Sequence, residues 1–299
     1  MPYAEIPFTD AARDALAAHW ALDGSQPAER LHGGEESTAY AIGEHVVRLG
    51  PRWRTSAEAE WCHGIALRAA ASVPEAVAPV ATRDGATVVR VDGRPMSVWP
   101  LVAGSWPDDE SRLAEQAATL LARLHLAFAA MTPEPRPVPS FLEYGLEREA
   151  PPPPEPALVD PELDRWLASF HRTHRRRQVV HGDFYSGNTL ATGGRLTAVL
   201  DWDEACVVAP EAEVAVAALE WAPEFGNDPA ELRPFLRHYA EAGGPAGLLD
   251  DVALAQFIRH RIRREAAAFH LQRERGTVHD ADDIDYHEER LATFAALRP

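Results

Sequence analysis

Lysine is absent from this 299-residue chain, and every one of its 29 basic residues is arginine. Any phosphate or carboxylate held by a side-chain cation must therefore be met by a forked, permanently charged guanidinium and not by an ammonium. Cysteine is almost absent: Cys62 and Cys206 stand alone, which excludes a disulfide framework and a cysteine zinc site and reads as two packed thiols. No apolar run approaches the roughly 20 residues of a membrane-spanning helix. The N-terminal stretch, with Glu5 and Asp10 and no basic start, lacks the form of a secretory signal, so the expected location is the cytoplasm. Positive charge is scarce: 29 basic against 46 acidic residues leave a net −17. A surface of that sign repels nucleic-acid phosphates and anionic lipid, so neither partner is expected, whereas cationic small molecules are attracted. No obligate protein partner is indicated. What remains is a composition with 46% hydrophobic and 25% charged residues, that of a folded chain with one large domain or two modest ones.

Along the chain the texture changes twice. Residues 9 to 22 begin with a cap candidate, Thr9 or Asp10, and carry Leu16, Ala17, Trp20 and Ala21 at helical spacing. From about residue 31 to 102, short β-like runs at 38 to 42, 45 to 49, 87 to 91 and 96 to 101 are separated by glycine turns, with an Ala- and Glu-rich helix at 56 to 71 inserted among them. From residue 111 onward the pattern is helical, starting with a stripe of Leu113, Ala117, Leu120, Leu121, Leu124 and Phe128. A proline-rich stretch at 131 to 161 reads as a surface loop, and further helices are expected at 161 to 177, 211 to 222, 230 to 242, 248 to 275 and 283 to 296. The organisation expected is an N-terminal helix at 1–24, a small β-rich lobe at 25–103 and a mainly helical lobe at 104–299.

The chemistry is concentrated between residues 178 and 205, QVVHGDFYSGNTLATGGRLTAVLDWDEA, where short apolar strands flank polar turns. His181, Gly182 and Asp183 are followed five positions later by Asn188 and thirteen further on by Asp201. Phosphoryl transfer asks for such a set: a carboxylate to orient the attacking hydroxyl, and an amide with a second carboxylate to hold a hard cation on the phosphates.

The HGDxxxxN pattern of residues 181 to 188, the LDWDEA of 200 to 205 and the LARLH of 121 to 125 together resemble the aminoglycoside phosphotransferase-like kinases, a family with the protein-kinase fold that includes antibiotic, choline and homoserine kinases. The resemblance implies an α+β fold of two lobes, a small antiparallel sheet with one inserted helix and a larger helical lobe, with the active site in the cleft between them. It implies a transferase that moves a phosphoryl group from Mg²⁺-bound ATP, or GTP, to the hydroxyl of a small molecule. Asp183 would orient that hydroxyl, His181 would hold the loop, and Asn188 and Asp201 would bind magnesium. The charge of −17 favours a cationic acceptor such as an aminoglycoside, which would make the protein an antibiotic-resistance enzyme. A small-metabolite kinase for homoserine, choline or a sugar is the alternative, and the missing lysine leaves open a nucleotide-binding protein without turnover.

For the nucleotide, the same resemblance points to a covering turn at 32 to 38, with Gly33, Gly34, Ser37 and Thr38 near the phosphates. Arg48 stands where the family has its lysine, with Glu60, or Glu58 one turn phase away, as its partner. Residues 98 to 102 would form the hinge, with Trp99 and Leu101 beside the adenine. Asp203, Glu204, Asp282 and Asp285 are candidate contacts to a cationic substrate, although acidic residues after a strand or at a helix start are commonly just solvated. The basic run at 171 to 177 reads as a solvated helix end. Arg259, Arg261, Arg263 and Arg264, alternating with Ile258, Ile262 and Phe269, read as an ordinary amphipathic surface.

Overall fold

Threonine caps set the first two helices. The Thr9 hydroxyl accepts the Ala12 N–H at the start of α1 (Asp10–Ala15), which continues as a π turn over Leu16–Trp20, and the Thr55 hydroxyl accepts the Glu58 N–H at the start of α2 (Ser56–Ala70). The computed structural model describes residues 5–31, 36–107, 110–174, 176–222 and 228–299. It divides into two compact units: Met1–Ala103 with Pro135–Val138, and Gly104–Glu134 with Pro139–Pro299.

The first unit is built on a five-stranded antiparallel sheet of β1 (Glu29–Arg30), β2 (Thr38–Ile42), β3 (His45–Leu49), β4 (Val89–Val91) and β5 (Arg94–Pro100), in the order β1-β2-β3-β5-β4. The strand alternation sorts its residues onto two faces. Ile42, Val47, Leu49, Val91, Met96 and Val98 lie on one and pack against Ile6, Ala12, Leu16 and Trp20 of the N-terminal helix. The register places Ala39, Arg48 and Ser97 side by side on the other, next to the row of Ala41, Val46 and Trp99. Burial of about ten apolar side chains on the first face, at about 1.5–3 kcal/mol each, is the main force that fixes which residues remain on the second.

The second unit carries α3 (Glu110–Phe128), α4 (Pro161–Thr173), α5 (Pro210–Glu220), α6 (Pro229–Glu241), α7 (Asp251–Glu274) and α8 (Ala281–Ala296). Two small antiparallel pairs lie among them: β6 (Gln178–Val180) with β9 (Cys206–Val208), and β7 (Thr189–Thr192) with β8 (Arg195–Val199). The proline-rich stretch contains two 3-10 turns, Phe141–Glu143 and Pro156–Leu158. Strands β1 and β9 were not expected; each is three residues or fewer, too short for alternation to mark. Among the described residues no helix is long and apolar enough to cross a membrane, and both cysteines are buried and form no disulfide.

The largest departure concerns α7. Its arginines are not a solvated surface: Arg259, Arg263 and Arg264 are buried, along with Leu254, Phe257, Ile258 and Ile262, so the helix is enclosed on nearly all sides. Arg259 and Arg263 are tolerated there because acidic partners reach them, whereas burial and the neighbouring Arg263 lower the Arg264 pKa to about 10. Arg259 pairs with Asp160, whose carboxyl is brought down to about 2 because the Arg259 contact and two helix N–H groups outweigh its burial. Arg263 pairs with Asp164, and Arg261 enters the site described next.

Candidate active site

The turn between β6 and β7 needs glycine at its second residue. Gly182 has φ +87°, and a Cβ there would lie 2.2 Å from the Glu204 carbonyl oxygen, so no other residue fits without displacing backbone. On either side the loop is pinned. The His181 ring donates from Nε2 to the Leu200 carbonyl at 2.9 Å and accepts the Asp183 N–H on Nδ1 at 3.3 Å, while its face lies 4.6 Å from the ring of buried Trp202. His181 thus holds the loop's shape by hydrogen bonds at both ring nitrogens.

A second anchor comes from α5. Glu213 is buried, and its two carboxylate oxygens accept the backbone N–H groups of His181 and Gly182. One of those oxygens is also 2.6 Å from His125 Nε2, and His125 Nδ1 is 2.8 Å from the Tyr239 hydroxyl. Burial alone would push the Glu213 carboxyl up, but the His125 contact, the nearby His181 and the loop N–H bring it below the ordinary value. His125 is the last residue of the LARLH motif, so that motif's role here is to back the carboxylate that holds the turn carrying Asp183.

Asp183 is fixed through both oxygens. Oδ1 accepts from Arg261 Nη2 at 2.7 Å and Oδ2 from the Asn188 amide at 2.8 Å; the same amide nitrogen reaches the Asp183 carbonyl at 2.9 Å. Arg261 also donates to the Gly182 carbonyl at 2.8 Å and, through Nε, to Glu265 at 2.6 Å, and its guanidinium lies 5.1 Å over the Phe141 ring. Burial opposes its charge, yet Glu265 and Asp183 raise its pKa above the ordinary arginine value. Glu265 passes the alternation on to Arg290 of α8, which also pairs with Glu220 of α5. A train of alternating charges therefore runs from α8 through α7 to Asp183, whose side chain remains about 30% exposed.

Asn188 and Asp201 lie at the same end of the β7–β8 pair: Thr189 faces Val199, and the Leu200 N–H donates to the Asn188 carbonyl at 2.8 Å. Both amide hydrogens of Asn188 point to Asp183, which leaves its Oδ1 as the atom with ligand character. Asp201 adopts φ +53°, a left-handed conformation uncommon for a residue other than glycine and one that accumulates at functional sites. One amide oxygen and one carboxylate are the hard donors that magnesium takes, with waters and phosphate oxygens completing its shell. The residues present fit such an ion.

The remaining expected residues divide. Glu204 is tied by its Oε2 to the Ser140 hydroxyl at 2.8 Å, and the Asp203 N–H lies 3.4 Å from Asp201 Oδ1. Asp282 and Asp285 are exposed in the first two turns of α8, which Asp280 and Asp283 cap reciprocally, and neither forms an ion pair with the Asp183 cluster. In the first unit, Gly33 and Gly34 lie outside the described residues. Ser37 is buried. Thr38 is corrected: the β2 alternation puts it on the core face, where its hydroxyl accepts the Ile6 N–H at 3.1 Å, and not on the Arg48 face. The Glu60 carboxylate accepts the N–H groups of Thr87 and Val88 and the Thr87 hydroxyl, at 2.7 to 2.9 Å, because α2 lays it against the entry to β4. Glu58 is paired with Arg136. Trp99, on the Arg48 face, is buried edge-on against His63 at 4.9 Å and donates to Ser97, while Leu101 is exposed.

Glu213 and Arg261 were not anticipated. Each lies tens of residues from the motif, and only the pairing of a buried acid in α5 and a buried arginine in α7 with the loop reveals them.

Comparison with known proteins identifies the family and the fold. A family model described as "Phosphotransferase enzyme family" matches residues 27–250. A homoserine kinase from Pseudomonas aeruginosa is 30% identical over 168 residues, 53% of each chain, so this chain spans about half the length of the homoserine kinase it matches. A hygromycin-B 4-O-kinase from Escherichia coli is 40% identical over 88 residues, 29% of this chain and 26% of that one. Among solved structures, an amicoumacin kinase in complex with AMP-PNP, Ca²⁺ and its ligand superposes with a TM-score of 0.66 at 14% identity, covering 91% of this chain and 89% of that one. The fold is the kinase-like α+β fold expected from the motifs.

Proposed function

The chain belongs to this phosphotransferase enzyme family, and from that premise we propose that it transfers the γ-phosphoryl group of ATP, or of GTP, to a hydroxyl of a small molecule. The observation that carries the reading is the double anchoring of Asp183. Arg261 and Asn188 each take one carboxylate oxygen and fix its direction, yet each oxygen retains a lone pair through which a substrate hydroxyl can be oriented. The hydroxyl oxygen bonds to the γ-phosphorus as the bond to the β–γ bridging oxygen breaks, and the hydroxyl proton passes towards Asp183. His181 and Glu213 hold the turn, and Arg261 is a positioning residue. Asn188 and Asp201 would hold magnesium, which when bound neutralises charge on the phosphates. In the first unit, Arg48 is the cation proposed to grip phosphate in place of a lysine; its fork suits two phosphate oxygens. Trp99 packs against α2 and is not assigned to the adenine.

For the acceptor, the net charge of −17 favours a cationic alcohol of the antibiotic kind, and relatives and neighbours that act on hygromycin B or bind amicoumacin support that class. A second reading, homoserine, is favoured by the longer of the two sequence matches. The test is nucleotide turnover with Mg²⁺ against cationic antibiotics, homoserine and choline. Turnover confined to antibiotics selects the first acceptor class, and turnover confined to homoserine selects the second.

A further inference from the structure

Two histidines and a glutamate from three separate segments of the second unit converge on one point. Glu155, at the start of the Pro156–Leu158 turn, places its Oε1 2.9 Å from Nε2 of His270 on α7 and 2.6 Å from Nε2 of His287 on α8. The three atoms all lie within 4.8 Å of one another, and all three side chains are half-buried. His287 is held by a parallel stack on Phe269, with centroids 4.3 Å apart and planes 4° apart. Phe269 precedes His270 on α7 and also stacks on His279, so the platform that orients one histidine is contiguous with the other. The Glu155 side chain does not cap its own turn, so its carboxylate is left to the two histidines.

We propose that Glu155, His270 and His287 form a transition-metal site that takes Zn²⁺ through three protein ligands, with water completing the shell. The donor set of two imidazoles and one carboxylate suits zinc and excludes the hard-oxygen preference of magnesium. In a tetrahedral site with bonds of about 2.0–2.2 Å, ligand atoms stand roughly 3.3 Å apart, so the present nitrogen–oxygen spacings need open by less than about 1 Å to admit the ion. Each imidazole binds through Nε2 with its proton on Nδ1, and Glu155 stays ionised, so the loaded site carries one net positive charge. Zinc there ties the proline-rich stretch to α7 and α8, the helices that contribute Arg261, Glu265 and Arg290 to the charge train behind Asp183.

The experiment uses the full chain, stripped with a chelator and then titrated with Zn²⁺ by calorimetry in excess Mg²⁺, so that the hard-donor site is saturated throughout. Co²⁺ serves as a spectroscopic probe of geometry. The result expected is one equivalent of Zn²⁺ per chain, a rise in melting temperature on binding, and visible Co²⁺ absorption of four-coordinate intensity. Glu155→Gln, His270→Gln and His287→Gln should each weaken Zn²⁺ binding by at least about 100-fold. Glu155→Gln keeps a hydrogen-bond acceptor for the histidines, so it decides the matter if a histidine variant fails to fold. Absence of Zn²⁺ uptake at micromolar concentration, or uptake that these substitutions leave unchanged, overturns the proposal; neither outcome bears on phosphoryl transfer.

Discussion

The two units use the same device for different ends. In each, a carboxylate on a helix accepts two consecutive backbone N–H groups: Glu60 of α2 takes Thr87 and Val88, and Glu213 of α5 takes His181 and Gly182. A histidine stands beside each, His63 at the Thr87 hydroxyl and His125 at Glu213 itself. The difference is depth and consequence. Glu60 is half-buried and fixes the entry to an ordinary strand, whereas Glu213 is buried and fixes the turn that presents Asp183. A buried charge is costly unless fully partnered, and beneath the Asp183 turn Glu213 is partnered by His125 and two loop N–H groups, so the turn's shape depends on it.

Breaking the deeper clamp should have the largest effect. Glu213→Ala strands His125 and two loop N–H groups and is expected to destabilise the fold by about 3–5 kcal/mol, read as a fall in the denaturant midpoint. Arg261→Met leaves Asp183 held only by Asn188; kcat should fall by about 100-fold with a much smaller change in KM, as expected when a reacting group is misplaced by about 1 Å. An equal loss in KM alone would show that Arg261 binds substrate and does not position the carboxylate. Glu60→Ala, the shallow counterpart, is expected to cost about 1–3 kcal/mol by leaving strand-entry N–H groups unmet, with kcat unchanged once the protein is folded. A kcat loss there as large as that of Arg261→Met would erase the distinction between the two clamps.

A separate effect is on pH dependence. Burial, and then the charges of Arg264 and Arg263, push the His260 pKa down to about 3 from 6.5. The unfolded chain therefore binds a proton that the folded chain refuses, so this contribution is complete above about pH 6.5 and is lost progressively as pH falls towards 3. Thermal melts across that window should show the loss, and His260→Gln should flatten it.

Much of this was legible in the sequence wherever the signal was local. The limits of β2 and β3 coincide with the apolar runs, and α2 begins where its alanine-rich stretch places it. The family and the fold followed from three short motifs. What escaped depended on contacts across the chain. The α7 arginines alternate with apolar residues as a surface helix would, and Asp160, Asp164 and Asp183, brought in from about 80 to 100 residues away, are what Arg259, Arg263 and Arg261 meet. That the Glu60 carboxylate takes up the backbone of residues 87 and 88 had no signal in the sequence, because those residues lie 27 and 28 positions away. Thr38 belonged to the expected glycine turn in sequence and to the hydrophobic face in space, because strand alternation had already begun at it.

The most direct measurement is acceptor-dependent release of nucleoside diphosphate by the intact protein and by Asp183→Asn, which keeps the size and an oxygen acceptor for Arg261 but cannot take a proton. The account predicts turnover in the parent chain and a loss of about 10²–10⁴-fold in kcat in the variant, with nucleotide binding retained. Turnover undiminished in Asp183→Asn, or nucleotide bound without transfer to any hydroxyl acceptor, would contradict it.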